Sequence, residues 1–280
     1  MFRFDMENLK HWSNGRAEVT TREGHLSFMI GPGARKLPPP WRLSVIRIAI
    51  ATLGGTGLIA MLCGISGSYT ASYSCALAAA VNLIAAYHYY AIYKIRAREL
   101  ERGCNCAEAD DEADLIRHTD WCLTLPLMVL DLYRLSEEAT GSVESWMNDN
   151  VAAFLAFLMV ILGVIYRFSD ILYLEVPSFV FSCVIFGVVL HAITSPVLGE
   201  SCDNRVLDLD SCQRDRYAIL LFTYAWIGYP IVALLSSSRF WSNDERLSFS
   251  KDAAYAFLDI VSKGGLAFYI AYRNYRYPPV

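Results

Sequence analysis

Charged residues are scarce in this sequence. Asp, Glu, Lys and Arg make up 19% of the 280 residues, whereas a soluble domain carries about a quarter. Neither sign is in large excess, and the formal net charge of −4 is too small to indicate a nucleic-acid partner. The first forty residues also lack the basic start and apolar stretch of a signal peptide. These absences argue against a soluble domain and against a protein that binds nucleic acid.

Cysteines are present, but they do not form a recognisable metal site. Four of them lie inside apolar blocks, where a free thiol behaves as a small hydrophobe; these are Cys63, Cys75, Cys122 and Cys183. Cys104 and Cys106 share one loop, and Cys202 and Cys212 share another. No His or further Cys completes a metal-ligand set nearby. We therefore expect no metal, and we favour free thiols over a disulfide or metal site for both loop pairs.

Apolar residues are abundant and are gathered into blocks. The hydrophobic fraction is 55%, and the blocks are about 20 residues long, which is the length that crosses a hydrocarbon core as a helix. Seven such blocks can be delimited, at about 43–65, 72–95, 115–135, 151–166, 176–193, 217–235 and 253–272. We predict an all-α, multi-pass membrane protein, with a bundle of seven transmembrane helices over residues 42–276. A polar extramembrane segment (1–41) precedes the bundle and a short tail (277–280) follows it, and the acidic run 108–114 is assigned to a loop.

The third block carries ionisable residues at membrane depth. A charge at the bilayer centre costs at least about 2.5 kcal/mol, so it is a candidate for a functional role. Asp120, Thr124 and Asp131 follow one another at helical spacing and fall on one face, with the two carboxylates about 16 Å apart. Two buried acids with a hydroxyl between them are suited to a proton path. The alternative is a polar cavity without transport.

The seventh block holds a second pair of charges. Asp259 and Lys263 are four residues apart, so the carboxylate and the ammonium share one helix face. A desolvated lysine is suited to forming a Schiff base with an aldehyde. On this pair alone, an interhelical salt bridge is favoured over a Schiff-base lysine.

Aromatic residues at membrane depth form a third group. Trp226, Tyr229 and Pro230 lie in the sixth block, and Trp121 adjoins Asp120. Tryptophan prefers the membrane interface, so buried copies indicate walls around a flat apolar ligand. Such residues also fill ordinary cores, and the group is not decisive by itself.

Together these residues resemble the microbial rhodopsins, and among them the proteorhodopsin-like proton pumps. Residues 117–127 are similar to the third-helix pattern R-x-x-D-W-x-x-T-x-P-L, residues 226–230 to W-x-x-Y-P, and residues 259–263 to D-x-x-x-K. Three motifs in the appropriate helices make the resemblance specific, and it extends over about 230 residues.

The resemblance implies a role for each matching residue. Lys263 would hold all-trans retinal as a protonated Schiff base, and Asp120 would be its counterion and proton acceptor. Asp259 would be the second counterion, Asp131 would return a proton from the other side, and Arg117 would stabilise the counterions.

Further positions follow from the same resemblance. His88 matches the histidine that proteorhodopsins place against the counterion, although an interfacial histidine among tyrosines is the alternative. Met128 occupies the position associated with spectral tuning, where an apolar residue implies green absorption. The Asp-Thr-Asp triplet of the third helix fits neither the chloride pumps nor the sodium pumps of the family.

The resemblance therefore implies a light-driven proton pump, and not an enzyme, that transports outward in the family's usual orientation. A sensory photoreceptor that signals through a partner and a light-gated channel are the alternatives. Lys and Arg are more frequent on the side of the N-terminus, which by the positive-inside rule favours an inverted insertion. We expect retinal, protons and the lipid bilayer as partners, together with self-association into a homo-oligomer.

Overall fold

The computed structural model describes residues 41–66, 69–102, 107–140, 147–169, 171–199, 209–235 and 245–276. Within these ranges the chain is helical almost throughout and contains no strand. Trp41 begins the first helix, while the rest of the predicted N-terminal segment and the tail 277–280 lie outside the described residues.

The described chain forms seven helical segments. Five are single helices: α1 (Trp41–Ser66), α2 (Tyr69–Arg102), α3 (Ala107–Thr140), α4 (Asp149–Phe168) and α5 (Leu172–Gly199). The sixth segment consists of α6 (Leu209–Ala225) and α7 (Gly228–Leu235). The seventh consists of α8 (Glu245–Asp259), a π-helical turn (Ile260–Gly264) and α9 (Gly265–Arg276). The predicted all-α bundle of seven helices is confirmed.

The segments pack as a closed ring. Each contacts the next along the chain, and the seventh returns to contact α1 and α2. α3 also contacts α5 and α6, so it lies inside the ring with its charged face near the other helices. Six segments of the described chain have the length and apolar composition of a membrane span, and α3 is not among them. α3 is less apolar because its central stretch contains three charged residues, Arg117, Asp120 and Asp131. All three are buried.

The predicted helices were too short, and the difference is largest at the start of α3. The acidic run 108–114 was assigned to a loop, but it forms the first two turns of this helix. Carboxylates near a helix N-terminus interact favourably with the helix dipole. Two of them also bind Arg167 of α4, since its guanidinium donates to Asp111 and to Asp114 at 2.7 Å each. The loop predicted over 199–216 was likewise wrong at its end, because α6 begins at Leu209.

The sixth segment breaks at a proline. Pro230 has no backbone N–H and its ring crowds the carbonyl of residue i−4, here Trp226. The chain therefore makes a short turn at Trp226 and Ile227 before α7 begins. At Gly228 an added Cβ would lie 2.5 Å from a methyl of Leu258. A side chain at this position would require the Leu258 side chain of α8 to move.

The seventh segment contains a π-helical turn that includes Lys263. The backbone N–H of Gly265 donates to the carbonyl of Ile260, five residues earlier, instead of the usual four. The carbonyl of Lys263 accepts a hydrogen bond from the Asn82 side chain of α2 at 3.1 Å, and Asn82 in turn accepts one from Thr56 of α1 at 3.1 Å. Side chains from two other helices thus hold the turn that carries the lysine.

The cysteines agree only in part with the sequence analysis. The four in the apolar blocks are free, as expected. Cys212 is disulfide-bonded, so the preference for a free thiol was wrong at this position. Cys104, Cys106 and Cys202 lie outside the described residues.

Candidate functional site

The ammonium of Lys263 lies between two carboxylates in the core of the bundle. Its Nζ donates to Asp120 of α3 and is 3.0 Å from an oxygen of Asp259, one turn earlier on its own segment. All three side chains are almost completely buried. We call these residues the lysine cluster. It contains one cation and two potential anions in a medium where an unpaired charge would be costly.

The two carboxylates of the lysine cluster differ in their hydrogen bonds. Asp259 accepts one from the Tyr89 hydroxyl of α2 at 2.7 Å and one from the Tyr229 hydroxyl of α7 at 2.6 Å. The Tyr229 hydroxyl is also 3.0 Å from that of Ser262. Asp120 has no such donors: its Oδ1 is buried and makes no hydrogen bond within the described part of the chain.

His88 is the nearest titratable neighbour of Asp120 on α2. Its Nδ1 lies 3.4 Å from the Oδ1 of Asp120 and 2.9 Å from the backbone carbonyl of Ile84. Nδ1 is therefore closer to the carbonyl of Ile84 than to Asp120, and it makes no hydrogen bond to Oδ1 of Asp120. The Thr124 hydroxyl does not bind this carboxylate; it donates to the backbone carbonyl of Asp120 at 2.8 Å.

Aromatic rings surround the lysine cluster on the side of α6 and α7. The ring of Trp121 makes edge contacts with Tyr229 and Tyr255, with centroids 5.4 and 5.1 Å apart. Trp226 is 2% exposed, and its ring lies in the core. Met128 is buried on α3. The structure thus brings Trp121 and Tyr229 of the sequence analysis into contact, and their role as walls of a ligand pocket stays a prediction.

A cavity of about 110 Å³ opens beside these rings, several times the roughly 10–15 Å³ that one water molecule needs. Trp121, Trp226, Tyr229 and Pro230 line it, together with side chains of α4 and α5. The indole nitrogens of both tryptophans are buried without a hydrogen-bond partner in the described chain. Lys263 is not among the residues that line the cavity, but Tyr229 lines it and also binds Asp259 of the lysine cluster. The flat apolar walls suit an extended apolar ligand, and retinal is a ligand of this type.

Arg117 does not contact the lysine cluster. Its guanidinium donates to Asp114 at 2.8 Å and to Asp252 of α8, and among the described residues no ion pair joins it to Asp120 or Asp259. Two further arginines converge on Asp252: the Nε of Arg42 (α1) lies 2.5 Å from it, and the Nε of Arg96 (α2) lies 3.0 Å from it.

These residues belong to a larger buried network, which we call the arginine cluster. Its members are Arg42, Arg96, Glu99, Asp110, Asp114, Arg117, Arg167, Lys251 and Asp252. It joins five of the seven helical segments at the end of the bundle where α1 and α3 begin.

Asp131 lies in the opposite half of the bundle from the arginine cluster. It is 2% exposed and follows Asp120 by eleven residues on α3, which is about 16 Å along the helix axis. The predicted column of Asp120, Thr124 and Asp131 is therefore a continuous face of one helix. The role of Asp131 stays a prediction, as do those of Arg117 and His88.

Sequence analysis missed several residues of the site. Tyr89 is one of the tyrosines beside His88 and was given no role of its own, and Asn82 and Asp114 were not considered for the site. Asp252 could have been found, since it precedes Asp259 by seven residues and so shares its helix face. Nothing in the sequence pattern indicated that Arg117 would turn toward it.

Comparison with known proteins agrees with this architecture. The model of the bacteriorhodopsin-like protein family matches residues 41–276. A thermophilic rhodopsin has a TM-score of 0.68 and 20% sequence identity, with 82% of this chain and 92% of that chain covered. No curated protein matches the chain significantly in sequence.

Two further solved structures have similar folds. Xanthorhodopsin, a light-driven ion pump with a dual chromophore, has a TM-score of 0.65 and 21% identity, covering 83% of this chain and 91% of its own. The light-driven proton pump of Coccomyxa subellipsoidea has a TM-score of 0.62 and 18% identity, covering 84% of this chain and 97% of its own. At these identities the likeness concerns the fold.

Proposed function

The chain belongs to the bacteriorhodopsin-like family, whose members bind retinal in a multi-pass membrane bundle, and on that premise we propose that it is a light-driven proton pump. The observation that carries the proposal is the position of Lys263, buried between Asp120 and Asp259. Lys263 would hold all-trans retinal, with Trp121 and Trp226 as walls of its pocket. When bound as a protonated Schiff base, retinal supplies light absorption and a change of shape that disturbs the pairing of the Lys263 nitrogen.

Asp120 is the carboxylate better placed to accept the proton. Asp259 is stabilised as an anion by the hydroxyls of Tyr89 and Tyr229, because hydrogen bonds to a carboxylate favour its charged form. Asp120 has one buried oxygen without such a bond. Asp120 is therefore the carboxylate that we propose as the acceptor of the proton released by the Lys263 nitrogen.

Asp131 would return a proton to Lys263 from the other half of the bundle. Asp131 is buried, and a buried carboxylic acid at membrane depth is a residue type used in proton relays. Asp131 lies about 16 Å along α3 from Asp120, the residue that binds Lys263. This separation is too long for direct proton transfer, so the proton has to pass Thr124 and intervening groups. A donor and an acceptor on opposite sides of the lysine make the transport directional.

We propose outward transport, with the end of the bundle that carries the arginine cluster outside the cell. The excess of Lys and Arg at this end favours the opposite insertion. However, Arg42 and Arg96 are buried in ion pairs there, which gives these cations a role in folding. Inward transport is the second candidate, and the Lys and Arg excess is the observation that favours it.

The test is the light-induced pH change of intact cells that express the protein with added retinal, measured with and without a protonophore. External acidification that the protonophore abolishes supports an outward pump. Alkalinisation that the protonophore abolishes supports inward transport. Coloured cells without any pH change would refute pumping and favour a sensory photoreceptor.

Two matched variants connect the result to the site. Asp120→Asn removes the acceptor while keeping the shape of the side chain, so we expect a loss of at least about a hundredfold in the light-driven pH change. Asp111→Asn makes the same substitution on the same helix, but at a side chain that is 57% exposed. It should leave transport unchanged, and a pump that survives Asp120→Asn would contradict the proposed mechanism.

A further inference from the structure

The arginine cluster and the lysine cluster form two neighbouring layers of the bundle. The arginine cluster is the lower layer, at the end where α1 and α3 begin. Arg117 precedes Asp120 by three residues on α3, and Asp252 precedes Asp259 by seven residues on the seventh segment. The two layers are therefore about 5 to 10 Å apart along the helix axes. A side chain as long as arginine can reach either layer from the position of Arg117.

The structure shows which layer Arg117 joins. Two of its nitrogens bind Asp114 and Asp252, and its guanidinium packs against the Tyr255 ring at 5.4 Å. Its Nε is buried with no hydrogen-bond partner in the described chain. Both terminal nitrogens of Arg117 are thus used by carboxylates of the arginine cluster, and among the described residues Lys263 is the only Lys or Arg with an ion pair to Asp120 or Asp259.

Asp252 can explain why Arg117 binds in the arginine cluster and not at Asp120. It is 1% exposed and is bound by arginines of three different helices, α1, α2 and α3. Such a fixed carboxylate holds a guanidinium more firmly than a mobile one, because the planar donors of arginine match it at defined positions. We propose that Asp252 is a positioning residue that keeps Arg117 away from Asp120 and so controls how readily Asp120 binds a proton.

The proposal deepens the pump mechanism and rests on it. If Arg117 moved up one layer, its charge would favour the ionised form of Asp120. The groups that face Asp120 would then include Arg117 beside His88, Lys263, Asp259, Tyr89 and Tyr229. Those that face Asp252 and Arg117 are Arg42 on α1, Arg96 and Glu99 on α2, Asp110 and Asp114 on α3, Arg167 on α4, and Lys251 and Tyr255 on α8. By holding Arg117 in the lower layer, Asp252 leaves Asp120 able to take up the proton.

The experiment is a titration of the retinal-bound protein followed by absorption, since protonation of the counterion changes the colour. Asp252→Asn should lower the midpoint of this transition by about one pH unit or more, because the guanidinium charge of Arg117 would then move several Å closer to Asp120. Asp252→Glu keeps the carboxylate and should restore the midpoint to within half a unit of the unmodified protein.

A double-mutant cycle separates positioning from a direct effect of charge. In an Arg117→Gln background, Asp252→Asn should shift the midpoint by less than half a unit, because Arg117 is no longer present to move. The double variant also removes one charge of each sign, which favours folding. An equal shift in both backgrounds, or no shift in either, would overturn the proposal.

Glu99→Gln is the matched control within the arginine cluster. Glu99 binds Arg42 and Arg96, and no ion pair joins it to Arg117 among the described residues. Its loss should move the midpoint by less than half a unit, and a shift as large as that of Asp252→Asn would contradict the specific role of Asp252.

If Asp252→Asn yields no folded protein, Asp114→Asn removes the other carboxylate of Arg117. It should lower the midpoint in the same direction, and the absence of that shift would count against the proposal. The melting temperature of the retinal-free protein checks folding for every variant. A variant set that titrates as predicted but does not pump would refute the proposed function and leave this inference standing.

Discussion

The lysine cluster and the arginine cluster are both buried and both ionic, but they differ in how their charges are satisfied. The lysine cluster has one cation for two carboxylates, and one oxygen of Asp120 makes no hydrogen bond in the described chain. In the arginine cluster each acid contacts at least one guanidinium, and Asp252 contacts three. Lysine can lose its proton when its surroundings change, whereas arginine stays charged. The first cluster is therefore suited to proton transfer and the second to holding helices and charges in place.

The strongest test of this contrast is to remove the lysine of each cluster. Lys263→Ala should abolish the visible absorption of the retinal-bound protein and all light-driven transport, because the point of attachment is lost. Lys251→Ala removes a buried ammonium that lies 2.8 Å from Asp114, and it should keep the colour. Absorption spectra after reconstitution with retinal measure both results. A coloured Lys263→Ala protein would remove the basis for assigning retinal to this residue.

The next effect concerns stability. Arg96→Gln leaves Asp252 and Glu99 with fewer partners in a buried site, so we expect a loss of about 3–5 kcal/mol. For a chain of this size that corresponds to a decrease of roughly 10 °C in melting temperature. Arg98→Gln, two residues away, alters a side chain that is 54% exposed and should cost less than about 0.5 kcal/mol. Equal melting temperatures for the two variants would show that the arginine cluster does not stabilise the fold.

The smallest expected effect lies at the other end of the bundle. Asp131→Asn should slow the return of the proton to Lys263 about tenfold or more, because the proton would then have to come from the solvent. Flash-induced absorption changes measure this rate. Asp215→Asn is the control at the same end, since Asp215 is also a buried carboxylate and lies in an ion pair with Arg273 at 3.1 Å. If both substitutions slow the return equally, Asp131 has no special role as a donor.

The sequence predicted the parts of the molecule that depend on spacing within one helix. Asp120, Thr124 and Asp131 share a face because helical periodicity requires it, and Lys263 lies beside Asp259 for the same reason. The seven apolar blocks correspond to the seven segments because each has to cross a membrane of fixed thickness.

The rest depends on contacts between helices, which spacing does not determine. The start of α3 lies eight residues earlier than predicted, because its acidic turns are stabilised by the helix dipole and by Arg167 of another helix. Arg117 has a long side chain with several carboxylates within reach, and its choice depends on where α8 places Asp252. Neither outcome could be predicted from the residues adjacent in sequence.

The π-helical turn at Ile260–Gly264 also affects how this helix can be compared with others or redesigned. The turn accommodates about one residue more than an α-helical turn does. Side chains after it consequently face directions that a continuous α-helix would assign to residues one position away. A gap-free alignment with a straight helix would be correct on one side of Lys263 and displaced by one residue on the other. Segments exchanged between such proteins should therefore be joined outside the turn, so that α8 and α9 each keep their own register.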